Sequence, residues 1–181
     1  MKHPTLVSTT RFEAGVLPRR SIADGQVLHP SDPAILAVTD FTREHPVTID
    51  AERQIDDALN DMIRVGVRAL LVVKDQRIVG LITSYDIQGE RPLQFLQSST
   101  YTHHSDIRVA HIMTPWHALT AINWETLQSM RAGDLLQVLD HAALTHLVVV
   151  EADRVGSACV VRALVSRARL IRQLSGLQRT G

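Results

Sequence analysis

At 181 residues the chain has room for one ordinary domain or two small ones, and 45% hydrophobic content is enough for a buried core. Nineteen basic residues cancel nineteen acidic ones, which argues against a global field for nucleic acid or an anionic membrane. A single cysteine, Cys159, excludes an intrachain disulfide, and no apolar run exceeds five residues, so no membrane span is expected and the chain reads as cytoplasmic.

Residues 1–33 contain Pro4, Pro18, Pro30 and Pro33 without a sustained period, and read as an extended arm that wraps its own module or a partner. The first twenty residues lack the apolar core of a secretory signal. Residues 34–41 are the first candidate ordered element, and residues 46–50 a short strand. Ile55, Ala58, Leu59, Met62 and Ile63 then recur at helical spacing, with Asp50 as a candidate cap and Gly66 as the terminator. Residues 69–73 predict a buried strand, 74–77 a polar hairpin turn and 78–83 its partner. A helix is predicted from Ser84 toward Leu96, disturbed in its middle by Gly89 and Pro92. Residues 98–106 are polar and read as a linker.

The chain then repeats itself. Residues 161–170 align with 78–87, placing Ala163 on Gly80, Ser166 on Thr83, Arg169 on Asp86 and Leu170 on Ile87. Residues 109–115 lead into the second copy, and 119–122 parallel the first short strand with Thr120 on Thr48. An additional segment, 124–129, precedes a helix that Asp134 can cap and whose stripe is Leu135, Val138, Leu139 and Ala142. Residues 147–150 and 161–165 are strands joined by a longer connection, 151–160. The final helix, from Ser166, turns Leu170, Leu174 and Leu177 inward and ends at Gly176. The expected fold is α/β (α+β): two tandem β-α-β-β-α repeats, residues 34–97 and 107–176, with a tail at 177–181.

Chemistry concentrates at the strand-to-helix junction Gly80-x-x-Thr83-x-x-Asp86. Gly80 leaves space for another backbone or a flat ligand. Thr83 and Asp86 have two readings. They cap the helix and complement its dipole, or they present a hydroxyl to a phosphate and a carboxylate to a ribose diol.

The repeat, the helix stripe, the Met113-Thr114-Pro115 lead and the junction motif together resemble a tandem pair of cystathionine-β-synthase (CBS) domains, the Bateman module, over roughly residues 35–174. That resemblance implies two repeats packed sheet against sheet about a pseudo-twofold axis, with two clefts that take adenine nucleotides or S-adenosylmethionine, and pairing into a homodimer. It implies ligand contacts from Thr48, Val67, Arg68, Ala69, Leu70, Ile82, Thr83 and Asp86, with Asp86 on ribose, Thr83 on phosphate and residues 67–70 against adenine. At the second junction Ser166 keeps a hydroxyl, but Arg169 replaces the ribose carboxylate and cannot accept from a diol. Arg169 is suited to a phosphate instead. One competent cleft, centred on Thr83 and Asp86, is therefore expected.

Nine histidines invite a metal reading, but no zinc-type spacing supports it, and no metal cofactor is expected. From Arg154 onward there are six arginines and no acid; a solvated face complemented by Asp56, Asp57 and Asp61, or phosphate contact by Arg169, is favoured over nucleic-acid binding. No nucleophile–base pair, carboxylate pair or P-loop is present in the sequence, so the chain is not expected to be an enzyme. The function these features predict is a ligand sensor that signals to an unidentified effector protein. The alternative is a ligand-free dimerisation or scaffold module.

Overall fold

The computed structural model describes residues 26–101, 103–152 and 159–176. Most of the arm, residues 153–158 with Arg154, Leu177 and the tail lie outside the described residues. In chain order the elements are β1 (Thr39–Asp40), β2 (Thr48–Asp50), α1 (Ile55–Val65), β3 (Ala69–Lys74), β4 (Arg77–Thr83), α2 (Ser84–Gln88) and α3 (Arg91–Ser98). The second half supplies α4 (Val109–Ile112), β5 (Thr114–Pro115), β6 (Ala121–Asn123), α5 (Trp124–Ser129), α6 (Ala132–His141), β7 (His146–Ala152), β8 (Cys159–Ser166) and α7 (Arg167–Ser175).

Two four-stranded sheets result, ordered β2-β3-β4-β5 and β1-β8-β7-β6. In each, a short strand runs parallel to the first strand of an antiparallel hairpin, and both hairpins shift register at matching positions, Val72/Val73 and Val149/Val150. The repeats exchange their edges. β1, from the lead of the first repeat, pairs with β8 of the second, and β5, from the lead of the second, pairs with β4 of the first. The spatial units therefore cut across the boundaries drawn from the sequence. Residues 107–112 bury Ile107, Val109 and Ile112 in the core of the first sheet, while Leu28, Ala34, Ala37 and Val38 lie in the core of the second. Leu28 also donates its amide to the Gln173 carbonyl at 3.0 Å, so this end of the arm wraps its own module.

The unbroken apolar run of β3 has its reason here, since a strand covered on both faces need not alternate. Leu70 and Val72 pack under the helices of their own repeat. Ala69 and Leu71, with Leu81, face the opposing sheet against Phe41, Val161 and Leu164.

Local chemistry departs from the sequence reading at several points. Asp50 does not cap α1: its Oδ1 accepts the Glu52 amide at 2.8 Å in a turn, and α1 begins only at Ile55, behind Gln54. Ile63 lies off the buried stripe and is 71% exposed. Gly66 does end α1, at φ 78°. The helix after Ser84 is two helices, because the chain breaks at Gly89 and restarts with Pro92 in the first turn of α3. Asp134 sits inside the first turn of α6, where its Oδ2 accepts the Arg131 amide at 3.2 Å, rather than at the cap. Ala142 follows the end of α6 and is exposed. Gly176 has right-handed backbone; its small size admits Val27, whose Cγ2 lies 2.7 Å from where a Cβ would stand.

Candidate functional site

The first junction is closed on itself. Thr83 is buried, and its amide and hydroxyl both donate to Asp86 Oδ2, at 2.8 and 2.7 Å. The Asp86 amide returns a bond to Thr83 Oγ1 at 3.2 Å, completing a capping box. The second carboxylate oxygen is also engaged, by Arg91 Nη1 at 3.0 Å. That same nitrogen donates to the Ile112 carbonyl at 2.7 Å and the Thr114 hydroxyl at 3.1 Å, tying α3 to the lead of the second repeat. Gly80 serves a backbone neighbour: a Cβ there would stand 2.5 Å from the Thr114 carbonyl oxygen. His146 enters this region from β7, within the field of Asp86; burial pushes its imidazole down to about 4, with Asp86 pulling weakly upward.

The second junction is open. Ser166 precedes α7 but makes no side-chain cap bond. Arg169 Nη1 donates to Thr39 Oγ1 at 2.8 Å on the exchanged strand β1, a neutral partner that leaves its charge uncompensated. Beside it lies a cleft of about 620 Å³, within the range of small-molecule sites. Its lining combines the apolar residues Phe41, Val47, Val67, Ala69, Leu71 and Leu164 with three arginines, Arg68, Arg169 and Arg172. A smaller cleft of about 330 Å³ adjoins it, lined by Tyr85, Thr145 and Arg167 among others. Arg167 is already paired, with Asp140 at 2.6 Å.

Of the residues singled out in the sequence, Val67, Arg68, Ala69, Ser166 and Arg169 line the larger cleft together. Thr48, Leu70, Ile82, Thr83 and Asp86 do not line it. Leu70 and Ile82 are fully buried in the core of the first repeat, because alternation along β3 and β4 turns them toward the helices. Thr48 is exposed, and strand register makes Ala121 its counterpart rather than Thr120: Thr48 pairs with Leu71 as Ala121 pairs with Val148. The sequence reading missed Thr39, Phe41 and Arg172, which reach the cleft through strand exchange and the second turn of α7. It also missed His146, although repeat alignment places it on Ala69, since Ala69 pairs with Thr83 as His146 pairs with Ser166.

The arginines of the C-terminal segment find other partners than expected. Arg162 contacts Asp40 at 3.3 Å and Glu151 at 3.6 Å, and stacks over Trp124 at 4.4 Å. Asp40 is held below the usual carboxylate range: burial opposes this, but bonds from Thr42 and the charges of Arg162 and Arg43 prevail. Asp56, Asp57 and Asp61 pair instead with His104, Arg53 and Arg64.

Comparison with known proteins fits the exchanged two-sheet arrangement. Residues 38–91 match the family model described as CBS domain. These residues are a CBS domain, and the described residues share the fold of solved CBS pairs. A protein with CBS domains from Burkholderia ambifaria superposes with a TM-score of 0.53 at 23% identity, over 75% of this chain and 87% of its own. CBSX2 of Arabidopsis thaliana, solved in complex with AMP, gives 0.51 at 24% identity over 82% and 98%. The CBS domain of a bacterial CNNM/CorC family Mg2+ transporter, in complex with ATP, gives 0.52 at 19% over 81% and 89%. At such identities the likeness is one of fold. No curated protein sequence matches the chain. Among the described residues no helix is long and apolar enough to cross a membrane.

Proposed function

We propose that this CBS pair is a regulatory module that senses an adenine nucleotide in the cleft at its second junction. The carrying observation is that apolar residues and three arginines line one cleft. A base packs against Phe41, Val67, Ala69 and Leu164, and the phosphate end takes charge-assisted bonds from the arginines of the lining, Arg169 first. The AMP and ATP complexes of the similar folds support this ligand class. Arg169 stands at this junction in place of the ribose carboxylate; Ser166 and Glu44 are among the polar residues that line the cleft, with Thr39, His45 and His146.

Binding there bridges the repeats, since Val67, Arg68 and Ala69 belong to the first and Ser166, Arg169 and Arg172 to the second. A ligand that fits one relative angle better than another shifts the population toward it, and the Arg169–Thr39 bond carries the change to β1. The output passes to an effector protein, with the module working as a homodimer in the cytoplasm and doing no chemistry itself. A scaffold role without ligand is the competing reading, favoured by the self-satisfied Thr83–Asp86 junction.

Thermal-shift and calorimetric titration with AMP, ADP, ATP, S-adenosylmethionine and NAD tests this, on the native chain, Arg169→Ala and Asp86→Ala. The expected outcome is at least about tenfold weaker binding in Arg169→Ala and little change in Asp86→Ala. The reverse pattern moves the site to the first junction, and no binding by any of them leaves the scaffold.

A further inference from the structure

The two clefts at the second junction are not separate. Arg68, His146, Ser166, Ala168 and Arg172 line both, so they are neighbouring compartments meeting at one threshold. Among the described residues neither Arg68 nor Arg172 makes an ion pair or a side-chain hydrogen bond, and Arg169 has only the Thr39 hydroxyl. Two uncompensated guanidiniums thus line both compartments, together with His146, Ser166 and Ala168. The smaller compartment adds the hydroxyls of Tyr85 and Thr145 and has no acid in its lining; Glu44 is the one acid lining the larger.

Resting on the sensing role above, we propose that the ligand is a nucleoside triphosphate whose polyphosphate tail crosses from the larger compartment into the smaller. The base and first phosphate occupy the larger compartment, against its apolar residues and Arg169. The outer phosphates pass Arg68 and Arg172 toward Tyr85 and Thr145. A monophosphate ends before this threshold and leaves both cations unpaired. S-adenosylmethionine carries a sulfonium and an ammonium against one carboxylate, so its charge is of the wrong sign for the arginines. Selectivity for the longer anion is then built from unpaired charge rather than from shape.

Calorimetry at constant ionic strength with AMP, ADP, ATP and S-adenosylmethionine, on the native chain and Arg172→Ala, tests the assignment. Arg172 is exposed on α7, so its removal leaves the core intact. The expected order is ATP, ADP, AMP, then S-adenosylmethionine, with ATP at least about tenfold tighter than AMP. In Arg172→Ala the ratio of the AMP to the ATP dissociation constant falls severalfold, and inorganic tripolyphosphate competes with ATP better than pyrophosphate does. AMP binding as tightly as ATP, or a ratio untouched by Arg172→Ala, overturns the polyphosphate assignment and leaves nucleotide sensing standing. Failure of every adenine compound to bind overturns both.

Discussion

The two strand-to-helix junctions occupy equivalent places in equivalent repeats, yet one is closed and the other open. At the first, a threonine and an aspartate satisfy each other and Arg91 takes the remaining carboxylate oxygen. At the second, a serine without a cap bond and an arginine anchored on Thr39 face a cleft of about 620 Å³. The residues paired with them differ as well. Ala69 pairs with Thr83 of the first junction and its counterpart His146 with Ser166 of the second; both line the larger cleft, and the imidazole lies within the field of Asp86. A motif that looks intact can therefore be spent on local structure, while its degenerate copy keeps the space and charge a ligand needs.

The largest expected break in this comparison is at Gly80. A side chain there meets the Thr114 carbonyl oxygen at 2.5 Å and Met113 Sδ at 2.9 Å, so β5 must move off β4. Gly80→Val is expected to destabilise the fold by about 3 kcal/mol, read as a lower denaturation midpoint at unchanged slope. At the equivalent Ala163, which is buried opposite β1, Ala163→Gly removes only a methyl and backbone rigidity and costs about 1 kcal/mol. Equal costs at the two positions would show that the edges are held alike.

Much of the fold was legible because its signals are local. The apolar stripe of α1, the polar turn before β4 and the internal repeat report on elements within a few residues of themselves. The exchange of β1 and β5 was not legible, because two-residue strands carry no period and their pairing is decided by long-range packing. That exchange brings Thr39 and Phe41 to the cleft, so its lining was half visible: Val67, Arg68, Ala69, Ser166 and Arg169 line it, while Thr39, Phe41, Leu164 and Arg172 were not singled out for it. Asp86 admits two readings for a physical reason. The same carboxylate geometry serves a ribose diol and a helix cap, and here Arg91 takes the oxygen that the cap leaves over.

His146 sharpens the comparison by titration. Its imidazole is held at about 4, against an ordinary 6.5, chiefly by burial. Between these values the unfolded chain binds a proton that the folded chain refuses, so stability falls as pH drops from 6.5 toward 4. Allowing for partial exposure, the loss is about 2 kcal/mol. Chemical denaturation across this window should give a shallower slope against pH in His146→Gln than in the native chain. A parallel pair of slopes would place the imidazole in water, outside the field of Asp86.

The smallest expected effect separates the junctions most directly. Thr83→Ala removes one hydroxyl that both donates to Asp86 and accepts its amide, inside a buried capping box, and is expected to cost about 1 kcal/mol. Ser166→Ala removes a hydroxyl that caps nothing, and is expected to cost less than about 0.5 kcal/mol. Both differences are measurable as shifts in the denaturation midpoint. Repeating the measurement with saturating ATP reverses the ranking if Ser166 contacts the ligand, because ligand stabilisation depends on affinity and Thr83 does not line the cleft. An unchanged ranking with ATP bound would mean that the Ser166 hydroxyl serves neither the helix nor the nucleotide, and that recognition in this cleft falls to its arginines and apolar residues.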